Sequence, residues 1–173
     1  MLLVRGPNVM QGYLGRPDLT AEALRDGWYV TGDIAHVDDA GFLHITGRLS
    51  RFSKIGGEMV PHVRVEEALI ELLQEGTQDD QLRVCVTAVP DTKKGERLIV
   101  LHLPTTRSVD ELRAGLREVD LPNLFIPATD AFYQVDEIPV LGTGKLDLKR
   151  TRELAETLAG AAPPQRPSET SGS

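Results

Sequence analysis

The 173 residues hold 26 acids against 19 bases, a formal net charge of -7, with 40% apolar residues and one cysteine. That is enough apolar material for a core, and the acidic balance excludes a basic arm for nucleic acid or anionic lipid. A single cysteine excludes a disulfide framework within the chain and a thiolate-ligated metal centre. The histidines, His36, His44, His62 and His102, show no metal-ligand spacing, so no metal site is expected. Met1 to Met10 lack the apolar core of a signal peptide, and no apolar run approaches the roughly 20 residues of a spanning helix. A cytoplasmic setting is expected, with membrane association only through a part fused upstream.

Taken in order, residues 1–13 read as a strand running at once into a Gly, Pro and Asn turn, as if an earlier part had been cut away. A short helix is expected over Leu19 to Arg25, capped by Asp18. Ile34 to Val37 and Phe42 to Thr46 flank the turn cluster Asp38 to Gly41 and read as a hairpin. After Gly47 the pattern alternates helix and strand. Val65, Leu69, Leu72 and Leu73 follow helical spacing, with Gly76 as the stop. Arg83 to Val89 and Leu98 to Leu103 read as neighbouring strands, with Cys85 as a small buried residue. Ser108 with Glu111 forms a capping box for a helix ending near Asp120. Ala131 to Val135 reads as a strand, Thr151 to Leu158 as a last helix stopped by Gly160, and residues 161–173 as a disordered tail.

Three segments stand out in order. Trp28, Tyr29, Val30, Thr31, Gly32 and Asp33 form a Y-x-T-G-D motif; Gly47, Arg48, Lys54, Gly56, Gly57 and Glu66 follow the pattern G-R-x5-K-x-G-G; Pro139, Gly144 and Lys145 form P-x4-G-K. Together they resemble the carboxyl-terminal part of adenylate-forming enzymes, the superfamily of acyl-CoA synthetases, luciferases and peptide-synthetase adenylation domains. The wording GRLSRFSKIGGEMV and PVLGTGKLD is most similar to the acyl-acyl-carrier-protein synthetase part of bifunctional 2-acylglycerophosphoethanolamine acyltransferases.

The resemblance implies an α+β chain in which the β-rich end of a large domain, residues 1–47, precedes a small mobile domain, residues 48–160, with a short mixed sheet flanked by helices. Without the rest of the large domain, apolar residues such as Leu3, Val9 and Trp28 should be exposed. It implies an ATP-dependent fatty-acid ligase that makes acyl-AMP and then an acyl thioester on acyl carrier protein or CoA, the chain alone being inactive. Attack of a carboxylate on an anionic α-phosphate needs a mobile cation, the role implied for Lys145; otherwise Lys145 is a solvated loop lysine. Asp33 and Arg48 match the residues that hold the nucleotide ribose; otherwise Asp33 caps a turn and Arg48 makes a surface salt bridge. Lys54, Gly56 and Gly57 match the face presented to a pantetheine arm, where glycine permits close approach, although Lys54 could equally serve a hairpin. Ser50 stands at the hinge position, where the family usually has Asp or Lys. ATP would come with Mg2+ bound in the missing part, since the phosphate loop and acyl pocket have no counterpart here. The rival expectation is a non-catalytic module that binds a carrier protein or a separate large domain. A peptide-synthetase adenylation domain, which would be followed by a carrier domain, is a lesser rival, and the Pro- and Ser-rich ending gives no sign of one.

Overall fold

The computed structural model describes residues 1–73 and 82–160. The expected stop at Gly76 and the expected tail at 161–173 lie outside the described residues. Two compact units divide the chain, Met1–Phe52 and a second beginning at Ser53.

The first unit is β-rich, as its sequence pattern predicts. Leu3–Val4 (β1), Leu24–Arg25 (β2) and Trp28–Val30 (β3) form a three-stranded antiparallel sheet in the order β1-β3-β2. Between β1 and β2 lies a helix at Pro17–Ala23 (α1). It begins two residues before the expected start, with proline in its first turn, where a missing N–H costs nothing. Asp18 is therefore inside the helix and not its cap. The cap position belongs to Arg16, whose guanidinium binds the Asp18 carboxylate at 2.6 Å. Asp33–Val37 (β4) and Leu43–Arg48 (β5) form the expected hairpin. Its turn is built by Asp38, whose Oδ1 accepts the Ala40 and Phe42 amides, with Gly41 at φ +87°.

No residue of this unit is fully buried. Leu3 and Trp28 are exposed as expected, whereas Val9 is half-buried. Phe42 at 67%, Val37 and Ile45 at 63% and Leu14 at 102% exposure extend that apolar surface. A unit with this much uncovered apolar side chain lacks a core of its own.

The second unit has a core on each face of one mixed sheet. Phe52–Ile55 (β6) and Glu58–Pro61 (β7) form a hairpin, followed by a helix at His62–Leu73 (α2). Val84–Asp91 (β8) and Gly95–His102 (β9) pair antiparallel along their whole length, from Val84 opposite His102 to Asp91 opposite Gly95. Phe132–Gln134 (β10) runs parallel to β9 on its other side, and β6 touches β9 only at Ile55 opposite Gly95. Alternation sorts the strands: Val84, Val86, Ala88, Leu98 and Val100 join Val65, Leu69, Leu112 and Leu116 in one core. Cys85, Val89, Ile99 and Leu101 join Ala155 in the other.

Two helices come from the signals read in the sequence. Val109–Glu118 (α3) starts at the capping box, in which the Ser108 hydroxyl and Glu111 carboxylate each accept the other residue's amide. Gly115 of α3 lets α2 approach, since a Cβ there would stand 2.5 Å from a Leu72 methyl. Leu148–Gly160 (α4) contains the expected last helix. The architecture is α+β, with a mixed sheet flanked by helices.

Candidate functional site

Asp33 and Arg48 come together in the first unit. Thr31 fixes the approach to β4: its hydroxyl donates to the Leu2 carbonyl at 2.9 Å and accepts the Asp33 amide at 3.0 Å. Gly32 turns the chain at φ +77°, and its carbonyl accepts the Leu49 amide at 2.7 Å. Asp33 thus opens β4 directly opposite Arg48, which closes β5.

That pairing depends on a bulge. Val37 faces Leu43 and Ala35 faces Ile45, but Ile34 faces Gly47, leaving Thr46 as the extra residue. The Thr46 hydroxyl donates to the Ile34 carbonyl at 3.1 Å and occupies the irregularity. Arg48 Nε then donates to Asp33 Oδ1 at 2.9 Å, with the carboxylate 19% and the guanidinium 65% exposed. The hydrogen bond and charge of Asp33 hold the Arg48 guanidinium above its usual value. Motif residue Gly47 has a packing reason as well, because a Cβ there would stand 2.9 Å from the Phe52 ring. Ser50 is exposed in a 3-10 turn at Leu49–Arg51.

In the second unit, Lys54 is an exposed residue of β6, and Gly56 and Gly57 make the turn into β7 at φ +58° and +94°. Among the described residues, chain neighbours apart, nothing lies within 4 Å of a Cβ built on either glycine. Backbone conformation alone therefore accounts for both, and the space above them is open. The Lys54 amide donates to Glu96 Oε2 at 2.7 Å, and the Gly56 amide to the Lys94 carbonyl at 2.9 Å. Behind the hairpin, Ser53 and His62 form a buried pair, Oγ to Nε2 at 2.6 Å. Glu66, the last residue of the second motif, accepts the Val86 amide at 2.7 Å and ties α2 to β8.

Lys145 stands in a different turn. The Leu141 amide donates to its carbonyl at 2.7 Å, the Gly144 amide donates to the Leu141 carbonyl at 2.8 Å, and Gly144 sits at φ +79°. A bridge between Val140 and Leu146 closes the turn, and the Asp147 amide donates to the Pro139 carbonyl at 2.9 Å. Asp147 then caps α4 through the Arg150 amide. The side chain of Lys145 is exposed. No hydrogen bond or ion pair joins this turn to the Lys54 hairpin among the described residues.

Sequence reading missed Glu96, Ser53 and His62. The signal for Glu96 was the Gly95-Glu96 pair at the head of a strand, which carries no chemistry until its partner 42 residues away is known. Among the described residues no group of three or more His, Cys, Asp or Glu is placed to hold a metal ion. No helix among them is long and apolar enough to cross a membrane.

The chain is 38% identical over 149 residues to a feruloyl-CoA synthase of an Amycolatopsis species, matching 84% of this chain and 28% of that protein. It is 35% identical over 155 residues to a long-chain-fatty-acid–CoA ligase of Bacillus subtilis, over 88% of this chain and 26% of that one. Among solved structures, ATP-bound MatB from Rhodopseudomonas palustris superimposes with a TM-score of 0.66 at 26% identity, over 87% of this chain and 29% of that chain. This is a C-terminal-like domain of the AMP-binding, acyl-CoA synthetase superfamily. The chain spans 28% of the length of that feruloyl-CoA synthase. No family model matches the chain.

Proposed function

We propose that the chain is the C-terminal part of an ATP-dependent acid–thiol ligase, which joins a fatty acid to AMP and passes the acyl group to a pantetheine thiol. The observation that carries this reading is the Lys145 turn. It presents an exposed ammonium from a turn held by main-chain hydrogen bonds, on a domain similar to those of acyl-CoA ligases. Similarity to a feruloyl-CoA synthase and a long-chain-fatty-acid–CoA ligase favours CoA as the acceptor, with acyl carrier protein as the alternative. Kinship with the 2-acylglycerophosphoethanolamine acyltransferases is a narrower proposal, resting on the wording around Lys54 and Lys145.

In the first half-reaction a carboxylate oxygen attacks the α-phosphorus of ATP, and pyrophosphate leaves with the electrons of the broken P–O bond. Lys145 stands between the two anions and offsets their repulsion. Asp33 and Arg48 hold the ribose: Asp33 Oδ1 already accepts from Arg48, and its other oxygen is available to a hydroxyl. In the second half-reaction a thiolate attacks the acyl carbon and AMP leaves. The open space above Gly56 and Gly57 suits a thin pantetheine arm, with Lys54 beside it. Residues 1–47 close the large domain and residues 48–160 form the mobile one. The hinge at Ser50 agrees with its exposed turn just before the second compact unit. The setting proposed is cytoplasmic.

The test is to capture the native protein with an antibody against this chain, size it, and assay fatty-acid-dependent ATP–pyrophosphate exchange and thioester formation. A longer polypeptide with both activities is expected. A polypeptide no longer than this chain that binds carrier protein and exchanges no pyrophosphate would refute the ligase reading in favour of a binding module.

A further inference from the structure

The Lys54 hairpin meets the rest of its sheet at a single residue pair, Ile55 opposite Gly95, so its placement depends on what surrounds that point. One-pair ladders are weak, and two further hydrogen bonds and a close backbone approach converge there. Gly56 donates its amide to the Lys94 carbonyl, and Lys54 donates its amide to the Glu96 carboxylate. Gly95, at φ +83°, lets β9 come close enough that a Cβ there would stand 3.4 Å from the Lys54 carbonyl oxygen. The turn presenting these groups is itself built: Asp91 Oδ1 accepts the Lys93 and Lys94 amides at 2.9 and 2.8 Å. Of these interactions, only the Glu96 bond joins a charged side chain to the hairpin, and a carboxylate acceptor makes a bond about twice as strong as a neutral one. Glu96 takes the Lys54 amide and not its ammonium, so it places the residue without neutralising it.

We propose that Glu96 is a positioning residue for the thioester half-reaction: its carboxylate holds the Lys54 main chain and so sets where the Lys54 ammonium and the Gly56–Gly57 turn stand. The proposal rests on reading the chain as part of an acid–thiol ligase. Glu96 touches no substrate and acts through Lys54.

The test compares Glu96→Ala with Glu96→Gln, which keeps an acceptor oxygen. In this chain, amide hydrogen exchange at Lys54 is read against the Val86 amide, which Glu66 holds at 2.7 Å. Glu96→Ala should cut Lys54 protection about tenfold and leave Val86 unchanged, with Glu96→Gln restoring most of the loss. In the whole ligase, the same alanine variant should raise the KM for the thiol acceptor about tenfold while adenylation stays at the parent level, again with rescue by glutamine. Unchanged Lys54 protection overturns the proposal, as does lost protection with an unchanged thioester step. Equal loss at Val86 and in both half-reactions also overturns it, because that is general destabilisation. A parent protein that forms no thioester refutes the ligase reading instead, and the exchange data still decide whether Glu96 holds the hairpin.

Discussion

Replacing Lys145 by alanine separates chemistry from folding. The turn that carries Lys145 is closed by main-chain bonds, Leu141 amide to Lys145 carbonyl and Gly144 amide to Leu141 carbonyl, which truncation of the side chain leaves in place. The side chain is exposed and makes no ion pair among the described residues. Stability should therefore change by less than about 0.5 kcal/mol, as for surface sites that support no neighbour. In the reacting complex the ammonium is worth far more. A unit charge about 4 Å from an oxyanion contributes about 4 kcal/mol at an effective dielectric constant of about 20. That is about three decades of rate, and losses of single oxyanion partners set a floor of about 100-fold. Lys145→Ala should thus lower fatty-acid-dependent pyrophosphate exchange by about 100- to 1000-fold with an unchanged melting temperature. Acyl transfer from supplied acyl-AMP should change only a few-fold. Exchange within a few-fold of the parent would refute the role given to Lys145.

Three further outcomes follow from the geometry. Arg48→Ala removes an exposed pair worth under about 1 kcal/mol, so melting should barely move while the KM for ATP rises about tenfold; an unchanged KM would remove Arg48 from the nucleotide site. Ser53→Ala takes a buried partner from His62 Nε2 and should cost about 1–3 kcal/mol, lowering the midpoint by about 4–8 °C per kcal/mol; a melt that coincides with the parent's would show the bond contributes nothing. Glu111 is held below the usual carboxylate range, chiefly by the Ser108 amide and then by its hydroxyl. On acidification the unfolded chain takes up this proton first, so the contribution is full above about pH 4.3 and is lost as pH falls through the lower folded value. Glu111→Gln should flatten the acid limb of a stability–pH curve, and parallel limbs would contradict the assignment.

The second unit was legible where one local pattern decides the outcome. Val84 to Val89 and Leu98 to Leu103 are near-continuous apolar runs because both faces of their sheet are covered, and the Ser108–Glu111 box lies within a single helical turn. The α1 start was misread because Asp18 looks like a cap until Pro17 is seen to occupy the first turn, which puts the carboxylate opposite Arg16. The link from Lys54 to Glu96 was illegible for another reason. It spans 42 residues and consists of a main-chain amide meeting a side chain, a combination no periodicity records.

The Asp33–Arg48 pair shows how far motif spacing carries and where geometry takes over. The motifs mark both residues, and the Asp38–Gly41 turn predicts a hairpin between them. Continued without interruption, however, the register set by Val37 opposite Leu43 would place Asp33 opposite Gly47, with Arg48 one position beyond. A strand side chain displaced by one position points to the other face of the sheet. The extra residue at Thr46 shifts the register by one, and its hydroxyl occupies the Ile34 carbonyl at the irregularity. Arg48 thereby comes opposite Asp33 on the same face, within 2.9 Å. The distance between Asp33 and Arg48 in this chain is thus the length of a bulged hairpin. Removing one residue from β5 would leave both motif residues intact in sequence while separating them in space.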